Sequence, residues 1–271
     1  MKILAALAAT LVVAAFAATA GAVTAPPVAT ALAALGDSIT RAFDTCSVAY
    51  TDCPANSWST GSNAAVNSWG ARLKARTSPA LVAYNDAKTG AKMVDLPGQA
   101  ATAVTQGADV VTVMMGSNDV CTSSLATMTP AATVGQQLSQ ALATLTATSP
   151  TRQIYVASIP DVYHLWSIFH ANLAADFVWG IAGICQSLLA NPRSTATADV
   201  ARRNAVAAQV NADDAAIATA CAAVPQCHYD NGAAHAVQFS AANVTTRDYF
   251  HPSVSGQAIA ANAEWTAFFA P

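Results

Sequence analysis

The residues best suited to chemistry lie at the two ends of the chain. Near the amino terminus, Ser38 follows Gly36 and Asp37 directly after a short apolar run. Near the carboxyl terminus, Asp248 and His251 lie three residues apart, close enough on one turn for the carboxylate to accept the imidazole Nδ1 proton. A serine hydroxyl needs a base, and the base needs a group that orients it. We therefore predict a catalytic set in which Ser38 is the nucleophile, His251 its base and Asp248 the partner of that base.

Each of these motifs also has an ordinary structural interpretation. Ser38 is equally suited to cap a helix, since serine is a preferred N-cap residue. An isolated Asp-x-x-His pair is more often a surface loop than a catalytic pair. The other histidines lack a carboxylate at this spacing near the chain end and are interpreted as ordinary polar or packed residues: His164, His170, His228 and His235.

Two further segments offer donors for an oxyanion. Asn118 follows Gly116 after an apolar run, and its side-chain NH₂ is a suitable donor. Gly90 lacks a Cβ, so its backbone N–H can approach the same oxygen. Both segments also fit plain turns, for which glycine, asparagine and aspartate are the usual residues. We interpret the neighbouring Asp119 as structural.

The elements that must position these residues alternate between strands and helices. Apolar runs of strand length cover residues 29–35, 81–84, 109–115 and 153–159. Helical patterns cover residues 67–76, 97–105, 130–148, 162–189, 196–223 and 253–269. Strands that are apolar throughout and alternate with helices predict an α/β fold with a parallel sheet covered on both faces. Because the carboxyl ends of such strands meet at one crevice, Ser38, Gly90 and Asn118 are expected to converge there.

Composition and charge limit the classes of function. The 271 residues are 54% hydrophobic and 10% charged, which supplies a core and is unlike a disordered chain. The formal net charge is −3 and the 12 Lys and Arg residues form no basic stripe, so nucleic acid is not an expected partner. Residues 1–22 have the layout of a secretory signal, and the apolar run is short for a membrane anchor. Residues 23–271 are expected to form a single domain.

Six cysteines in an exported chain predict three disulfides. Six cysteines permit many connectivities, so the pairing is not determined by the sequence. Proximity along the chain favours Cys46 with Cys53 and Cys221 with Cys227, which leaves Cys121 with Cys185. The sequence contains no Cys-x-x-Cys pair and no Cys/His cluster with zinc-like spacing. We therefore expect neither a metal nor an organic cofactor.

Four blocks, in this order, resemble those of the SGNH, or GDSL-type, hydrolases: Gly36-Asp37-Ser38-Ile39, Gly90, Gly116-Ser117-Asn118-Asp119 and Asp248-Tyr249-Phe250-His251. Ile39 stands where that family has leucine, which is a mild apolar change. The resemblance covers about residues 32–260. It implies a three-layer α/β/α, flavodoxin-like fold around five parallel strands. It also implies that the N–H groups of Ser38 and Gly90 and the side chain of Asn118 form an oxyanion hole.

A closer resemblance is to the phospholipase B branch of that family, carried by residues 34–38, 57–61, 90–100 and 116–121. It indicates a shared framework and leaves the substrate open, because variable loops shape the acyl pocket. Residues 163–184 carry more apolar side chains than a single buried stripe needs. They predict either an acyl-binding wall or lipid-contacting lid, or a helix packed on two sides. The second interpretation is favoured, because excess apolarity often reflects deeper burial.

Together these features predict a secreted, monomeric serine ester hydrolase. Its expected substrates are small-molecule or lipid esters, cleaved through an acyl-enzyme, with transient contact to lipid surfaces. A carbohydrate acetyl esterase is the alternative within the enzymes. A secreted binding protein that keeps the fold without the chemistry is the alternative outside them, and it is disfavoured because every catalytic position holds a competent residue.

Overall fold

A five-stranded parallel sheet is the framework of residues 25–269, the part of the chain described by a computed structural model. Its strands are β1 (Ala31–Gly36), β2 (Val82–Asn85), β3 (Val110–Met114), β4 (Gln153–Val156) and β5 (Cys227–Tyr229). They lie in the order β2-β1-β3-β4-β5, and every neighbouring pair is parallel. The central strands β1 and β3 consist only of buried residues, because both of their faces are covered.

Helices form layers on the two faces of this sheet. Those in residues 25–269 are α1 (Trp69–Arg76), α2 (Leu96–Thr105), α3 (Ser117–Val120), α4 (Ala131–Thr146), α5 (Val162–Phe169), α6 (Leu173–Ala182), α7 (Gln186–Leu189), α8 (Thr197–Ala222) and α9 (Val254–Phe268). Successive strand residues point to opposite faces. Val111 and Val113 therefore pack with α2, α4 and α8, whereas Val110 and Met114 pack with α1 and α9. The α/β class and the layered parallel sheet expected from the sequence are confirmed.

The expected helical stretch 162–189 is three helices in the structure. The Asn172 side chain accepts the N–H groups of Ala174 and Ala175 and so starts α6. Gly183 ends α6 in the left-handed conformation, with φ of 64°. These caps are local signals that a uniformly apolar pattern conceals. The favoured expectation of deeper burial is also wrong for part of this stretch, because the outer side of α6 is exposed.

The strand pattern identified four strands and missed β5. This strand has three residues, and each of them is only partly buried. A segment so short shows no periodicity from which a strand is recognised. Its position became clear only where it pairs with β4 at the edge of the sheet.

Three disulfides close loops in the described range: Cys46–Cys53, Cys121–Cys185 and Cys221–Cys227. The first and third are the pairs that proximity along the chain favoured, and the second is the pair that remained. The expected signal segment 1–22 lies outside the described residues. Between residues 25 and 269, no helix has the length and apolarity needed to cross a bilayer.

Candidate active site

Ser38 lies just beyond the carboxyl end of β1, next to the centre of the sheet. Gly36 ends the strand with φ of 152°. A Cβ at this glycine would overlap the carbonyl oxygen of Met114 on β3, so the chain passes here only without a side chain. The turn that follows leaves Ser38 largely buried, at 6% exposure, on the wall of a cleft.

His251 reaches Ser38 from the far end of the chain. Its Nε2 atom lies 2.8 Å from Ser38 Oγ, and its Nδ1 atom lies 2.6 Å from Asp248 Oδ2. The other carboxylate oxygen, Oδ1, accepts the backbone N–H groups of Phe250 at 2.8 Å and His251 at 3.0 Å. Tyr249 has φ of 55°, which tightens the turn between carboxylate and imidazole. This is the geometry of a nucleophile, a base and a group that orients the base.

The electrostatics of Asp248 suit that arrangement. Burial by itself would raise the pKa of this carboxyl group. The hydrogen bond and charge of His251, together with two backbone N–H groups, outweigh burial and hold the pKa of Asp248 below its ordinary value. An ionised carboxylate at Nδ1 keeps the proton on that nitrogen, which leaves Nε2 free to accept the hydroxyl proton of Ser38.

A buried glutamine holds the backbone before Ser38. Gln99, on α2, accepts the N–H of Gly36 at 2.7 Å and donates to the carbonyl oxygen of the same residue at 2.9 Å. The side-chain amide therefore satisfies both backbone groups at the point where β1 ends. Because these groups are buried, leaving either one unpaired would cost free energy.

A second buried glutamine holds the backbone after Ser38. Gln257, on α9, donates to the carbonyl oxygen of Ile39 at 2.8 Å and accepts the N–H of Trp58 at 2.9 Å. Since α9 begins three residues after His251, this contact joins the helix behind the base to the turn that carries the nucleophile. Neither Gln99 nor Gln257 was assigned a role from the sequence. The available signal was a polar amide among small residues on a helix.

Asn118, one of the expected oxyanion donors, hydrogen-bonds to the residue after Gly90, which is another. One N–H of its side chain donates to the carbonyl oxygen of Ala91 at 3.0 Å, and an amide NH₂ has a second N–H to give. Asn118 lines the same cleft as Ser38. Gly90 precedes Ala91 in an exposed turn with φ of 82°, and it is not among the residues that line the cleft. Asn118 therefore ties the Gly90 turn to the cleft wall.

Two buried carboxyl groups accept hydrogen bonds from backbone N–H groups near the site. Asp37 Oδ1 accepts the N–H of Ile39 at 2.9 Å, while Oδ2 has no hydrogen-bond partner in the described part of the chain. Burial raises the pKa of Asp37 to about 6, against the opposing effects of that N–H and of His251. Asp119 Oδ2 accepts the N–H of Met93 at 2.9 Å. This contact joins α3 to the segment before α2, as a structural residue would.

The cleft beside Ser38 is lined mainly by apolar atoms and opens to solvent, and its free cavity volume is about 40 Å³. Its walls are Ser38, Ile39, Ser117, Asn118, Pro160, Asp161, Val162, Leu165, Phe239, Val244, Phe250 and Pro252. The Asp161 carboxylate is occupied in capping α5 through the N–H groups of Tyr163 and His164. The cleft can therefore hold an apolar group whose reacting carbonyl lies at Ser38.

The remaining histidines contact oxygen atoms away from Ser38. The contacts are His164 Nε2 with Phe239 O, His170 Nδ1 with Ser167 O, His228 Nε2 with Gln153 Oε1 and His235 Nδ1 with Ile159 O. None of them shares the contact with Ser38 that His251 makes. Among residues 25–269, no group of three or more His, Cys, Asp or Glu side chains is arranged to hold a metal ion.

Comparisons with known proteins address the family and the fold. Residues 34–259 match the model of the GDSL-like lipase/acylhydrolase family. No curated protein matches the chain. An extracellular lipase from Streptomyces rimosus is similar in structure, with a TM-score of 0.53 and 16% identity over 88% of this chain and 99% of that one.

Two other solved structures are similar in the same way. A family 3 carbohydrate esterase from Clostridium thermocellum has a TM-score of 0.51 and 14% identity, over 88% of this chain and 94% of that one. A phospholipase A1 from Streptomyces albidoflavus NA297 has a TM-score of 0.50 and 15% identity, over 89% of this chain and all 100% of that one. At such identities the likeness concerns the fold alone.

Proposed function

Since this chain belongs to the GDSL-like lipase/acylhydrolase family and is a carboxylic ester hydrolase, we propose that Ser38, His251 and Asp248 are its catalytic residues. The observation that carries the proposal is the continuous line of contacts. Ser38 Oγ lies 2.8 Å from Nε2 of His251, and Nδ1 of the same ring lies 2.6 Å from Asp248. These contacts support one task in acyl transfer for each residue.

The reaction proceeds in two halves. Ser38 Oγ attacks the ester carbonyl carbon while His251 Nε2 takes the hydroxyl proton. The tetrahedral intermediate collapses, the bond to the alcohol oxygen breaks, and His251 gives its proton to that oxygen. Water then loses a proton to His251 and attacks the acyl carbon. The bond from that carbon to Ser38 Oγ breaks as His251 returns its proton to Oγ, which releases the acid and restores Ser38. Asp248 remains ionised and stabilises the imidazolium in both halves.

Acyl transfer also needs N–H donors that stabilise the oxyanion. We assign this role to the backbone N–H of Ser38, the backbone N–H of Gly90 and the second side-chain N–H of Asn118. The bond from Asn118 to Ala91 supports this assignment, because it positions the amide before substrate arrives. Donors that are already oriented stabilise developing charge without a cost of reorganisation.

The preferred substrates are esters with medium or long apolar acyl groups. The support is the cleft, whose walls beyond Ser38 include Val162, Leu165, Phe239 and Phe250. Burying each additional methylene of a chain in such a cleft is worth about 0.8 kcal/mol. Phospholipids are among the esters that meet this description, in keeping with the phospholipase B resemblance.

The protein acts outside the cell as a monomer, and residues 23–271 form its single mature domain. The disulfides Cys46–Cys53, Cys121–Cys185 and Cys221–Cys227 support export, because such bonds persist in oxidising compartments. The signal-like layout of residues 1–22 is the second support.

Hydrolysis of p-nitrophenyl esters from acetate to palmitate, with the purified protein and with Ser38→Ala, tests this function. We expect a maximum at medium or long chains and a loss of kcat of at least about 10³-fold in the variant, at unchanged thermal stability. A fluorophosphonate should label the native serine and leave Ser38→Ala unlabelled, which controls for contaminating esterases. Near-full activity in Ser38→Ala would refute the nucleophile. A maximum at acetate would favour a carbohydrate deacetylase, and absence of both turnover and label would favour a binding protein.

A further inference from the structure

The outer face of α6 exposes a row of large apolar side chains. Leu173, Phe177 and Ile181 are 66%, 67% and 73% exposed, and their spacing of four residues places them along one side of the helix. The exposed residues beside them are small and uncharged: Ala174, Gly180 and Ala182. We call Leu173, Phe177 and Ile181 the α6 stripe. Patches of this kind on a single chain are often functional.

The inner face of α6 supports the loop that carries the base. Trp179 is fully buried, and its Nε1 donates to the carbonyl oxygen of Tyr249 at 3.2 Å. Phe169, at the end of α5, packs edge-on against both Tyr249 and Trp179. Tyr249 is the residue after Asp248. The α6 stripe therefore lies on the outside of a helix whose inside contacts the candidate catalytic loop.

The same region is continuous with the cleft. Val162 and Leu165, on α5, line the cleft, and α5 and α6 are separated by only three residues. Phe169 of α5 also packs against Trp179 of α6, so the two helices are in contact beside the cleft wall. A partner seated on the α6 stripe would lie next to the entrance used by an apolar acyl group.

The size of the α6 stripe argues against a second protein as its occupant. Three side chains at this exposure present roughly 400 Å² at most. A specific protein interface buries about 800 Å² on each partner, so a second copy would lack sufficient contact. A lipid layer needs no such area, because a short amphipathic helix inserts its apolar side among the headgroups. With ten residues, α6 is far shorter than the roughly 20 residues that span a bilayer, so it would lie flat.

Charge defines the kind of lipid. The single charged residue of α6, Asp176, forms an ion pair with Arg193 at 3.1 Å. The helix α6 contains no lysine or arginine that could attract acidic headgroups. The whole chain has a formal net charge of −3. Helices that select anionic lipids carry lysine and arginine beside the apolar side. The α6 stripe therefore fits a surface without net charge.

We propose that the α6 stripe docks the protein on neutral or zwitterionic lipid surfaces, beside the cleft that receives the ester. Docking would bring the protein to its ester substrates, so this inference rests on the proposed hydrolysis. Binding itself requires no chemistry, so it can be measured separately. Substrate would then be drawn from the layer into the cleft without crossing water.

Co-sedimentation with phosphatidylcholine vesicles in 0.15 M salt tests the docking. Ser38→Ala is the background, so that lipid is not consumed. We expect the combined substitution Leu173→Ser, Phe177→Ser and Ile181→Ser to lower the partition coefficient at least tenfold. The matched control is Val28→Ser with Val82→Ser, since both valines are exposed and apolar but lie at the amino-terminal edge of the sheet. This control should bind like its background, and added phosphatidylglycerol should not strengthen binding.

Other results would overturn the proposal. These are equal binding by the triple variant, no binding by either protein, binding only with anionic lipid, or a dimer that the triple variant converts to monomer in analytical ultracentrifugation. If the triple variant does not fold, Phe177→Ser alone should lower partitioning at least threefold. With Ser38 intact, hydrolysis of p-nitrophenyl acetate should stay within twofold in the triple variant. If the native protein lacks that hydrolysis while vesicle binding still depends on the α6 stripe, the proposed function fails and the docking stands.

Discussion

At Ser38 the backbone is held from both sides before substrate arrives. Gln99 pairs with both backbone groups of Gly36, and Gln257 pairs with the carbonyl of Ile39. Neither glutamine is among the residues that line the cleft. We therefore expect both to act as positioning residues, which set where Ser38 Oγ lies relative to the imidazole of His251. Displacing a reacting atom by about 1 Å can lower a rate about 10²-fold.

Replacing Gln257 tests this at the residue scale. Gln257→Leu removes the partner of the Trp58 N–H and one of the two partners of the Ile39 carbonyl, which keeps only the N–H of Ala42, so the turn at Ser38 should shift. We expect kcat for a p-nitrophenyl ester to fall at least about tenfold, with KM changed by less than about threefold. Steady-state kinetics and thermal unfolding should be measured on the same preparation.

The matched control is Leu145→Ala, in α4 on the opposite face of the sheet. Creating a cavity there should cost about 2 to 5 kcal/mol of stability and leave kcat unchanged. If both variants lose stability and both keep kcat, Gln257 has only a structural role and the assignment is wrong.

At the scale of the elements, a disulfide between residues distant in sequence holds the end of α3. Cys121 directly follows α3, the helix that contains Asn118, and it is bonded to Cys185 at the start of α7. Ser187 strengthens the same junction, because its hydroxyl donates to the carbonyl oxygen of Val120 at 2.6 Å. The bond thus anchors a wall of the cleft to the segment that follows α6.

The disulfides should differ in their effect on stability. Cys121 and Cys185 are 64 residues apart, whereas Cys221 and Cys227 are 6 apart. Removing Cys121–Cys185, which closes the longer loop, should lower the free energy of unfolding by about 4 kcal/mol. Removing Cys221–Cys227 should lower it by about 2 kcal/mol. Urea unfolding of the two Cys→Ala pairs measures the difference. Equal losses, or a larger loss for the short loop, would contradict the prediction.

Several carboxyl groups within residues 25–269 are largely buried and form no ion pair with a lysine or arginine. Burial raises the pKa of Asp37 to about 6, of Asp214 to about 6 and of Asp213 to about 7. It also raises the pKa of Glu264 well above its ordinary value. Asp248 is shifted in the opposite direction. The four raised groups share one consequence, which is that each binds its proton more tightly in the folded protein than in the unfolded chain.

Stability should therefore decline as the pH rises from about 4 to about 7. Within this window the unfolded chain has released protons that the folded protein still holds, so the free energy of unfolding falls with increasing pH. Below about pH 4 the effect of Asp248 has the opposite sign, and acid destabilises. We expect the thermal midpoint at pH 5 to exceed that at pH 8 by about 3 °C or more, measured by calorimetry at constant ionic strength.

Asp213→Asn provides the check on this cause. Its uncharged amide should flatten the slope between pH 5 and pH 8, because this carboxyl group, whose pKa burial raises to about 7, no longer titrates. A thermal midpoint that rises from pH 5 to pH 8 would show that the buried carboxyl groups do not control the dependence.

By itself the sequence determined the fold class and the family. Continuous apolar runs that alternate with helical patterns predicted the parallel sheet, and four short blocks indicated the hydrolase family; both are confirmed. The roles of Ser38, His251, Asp248, Gly90 and Asn118 were also inferred at this level, and they remain predictions. Such features are local, because residue type, the period of the apolar residues and the spacing within a motif depend only on positions close together in the sequence.

Only the tertiary structure determined which distant residues are in contact. Ser38 and His251 are 213 residues apart, and Gln257 and Ile39 are 218 apart, yet each pair is in hydrogen-bond contact. The same holds for the division of residues 162–189 into three helices and for the exposed side of α6, where an apolar pattern suggested burial. A local pattern shows that a side chain is apolar or polar. Which distant segment covers it depends on how the whole set of strands and helices packs together.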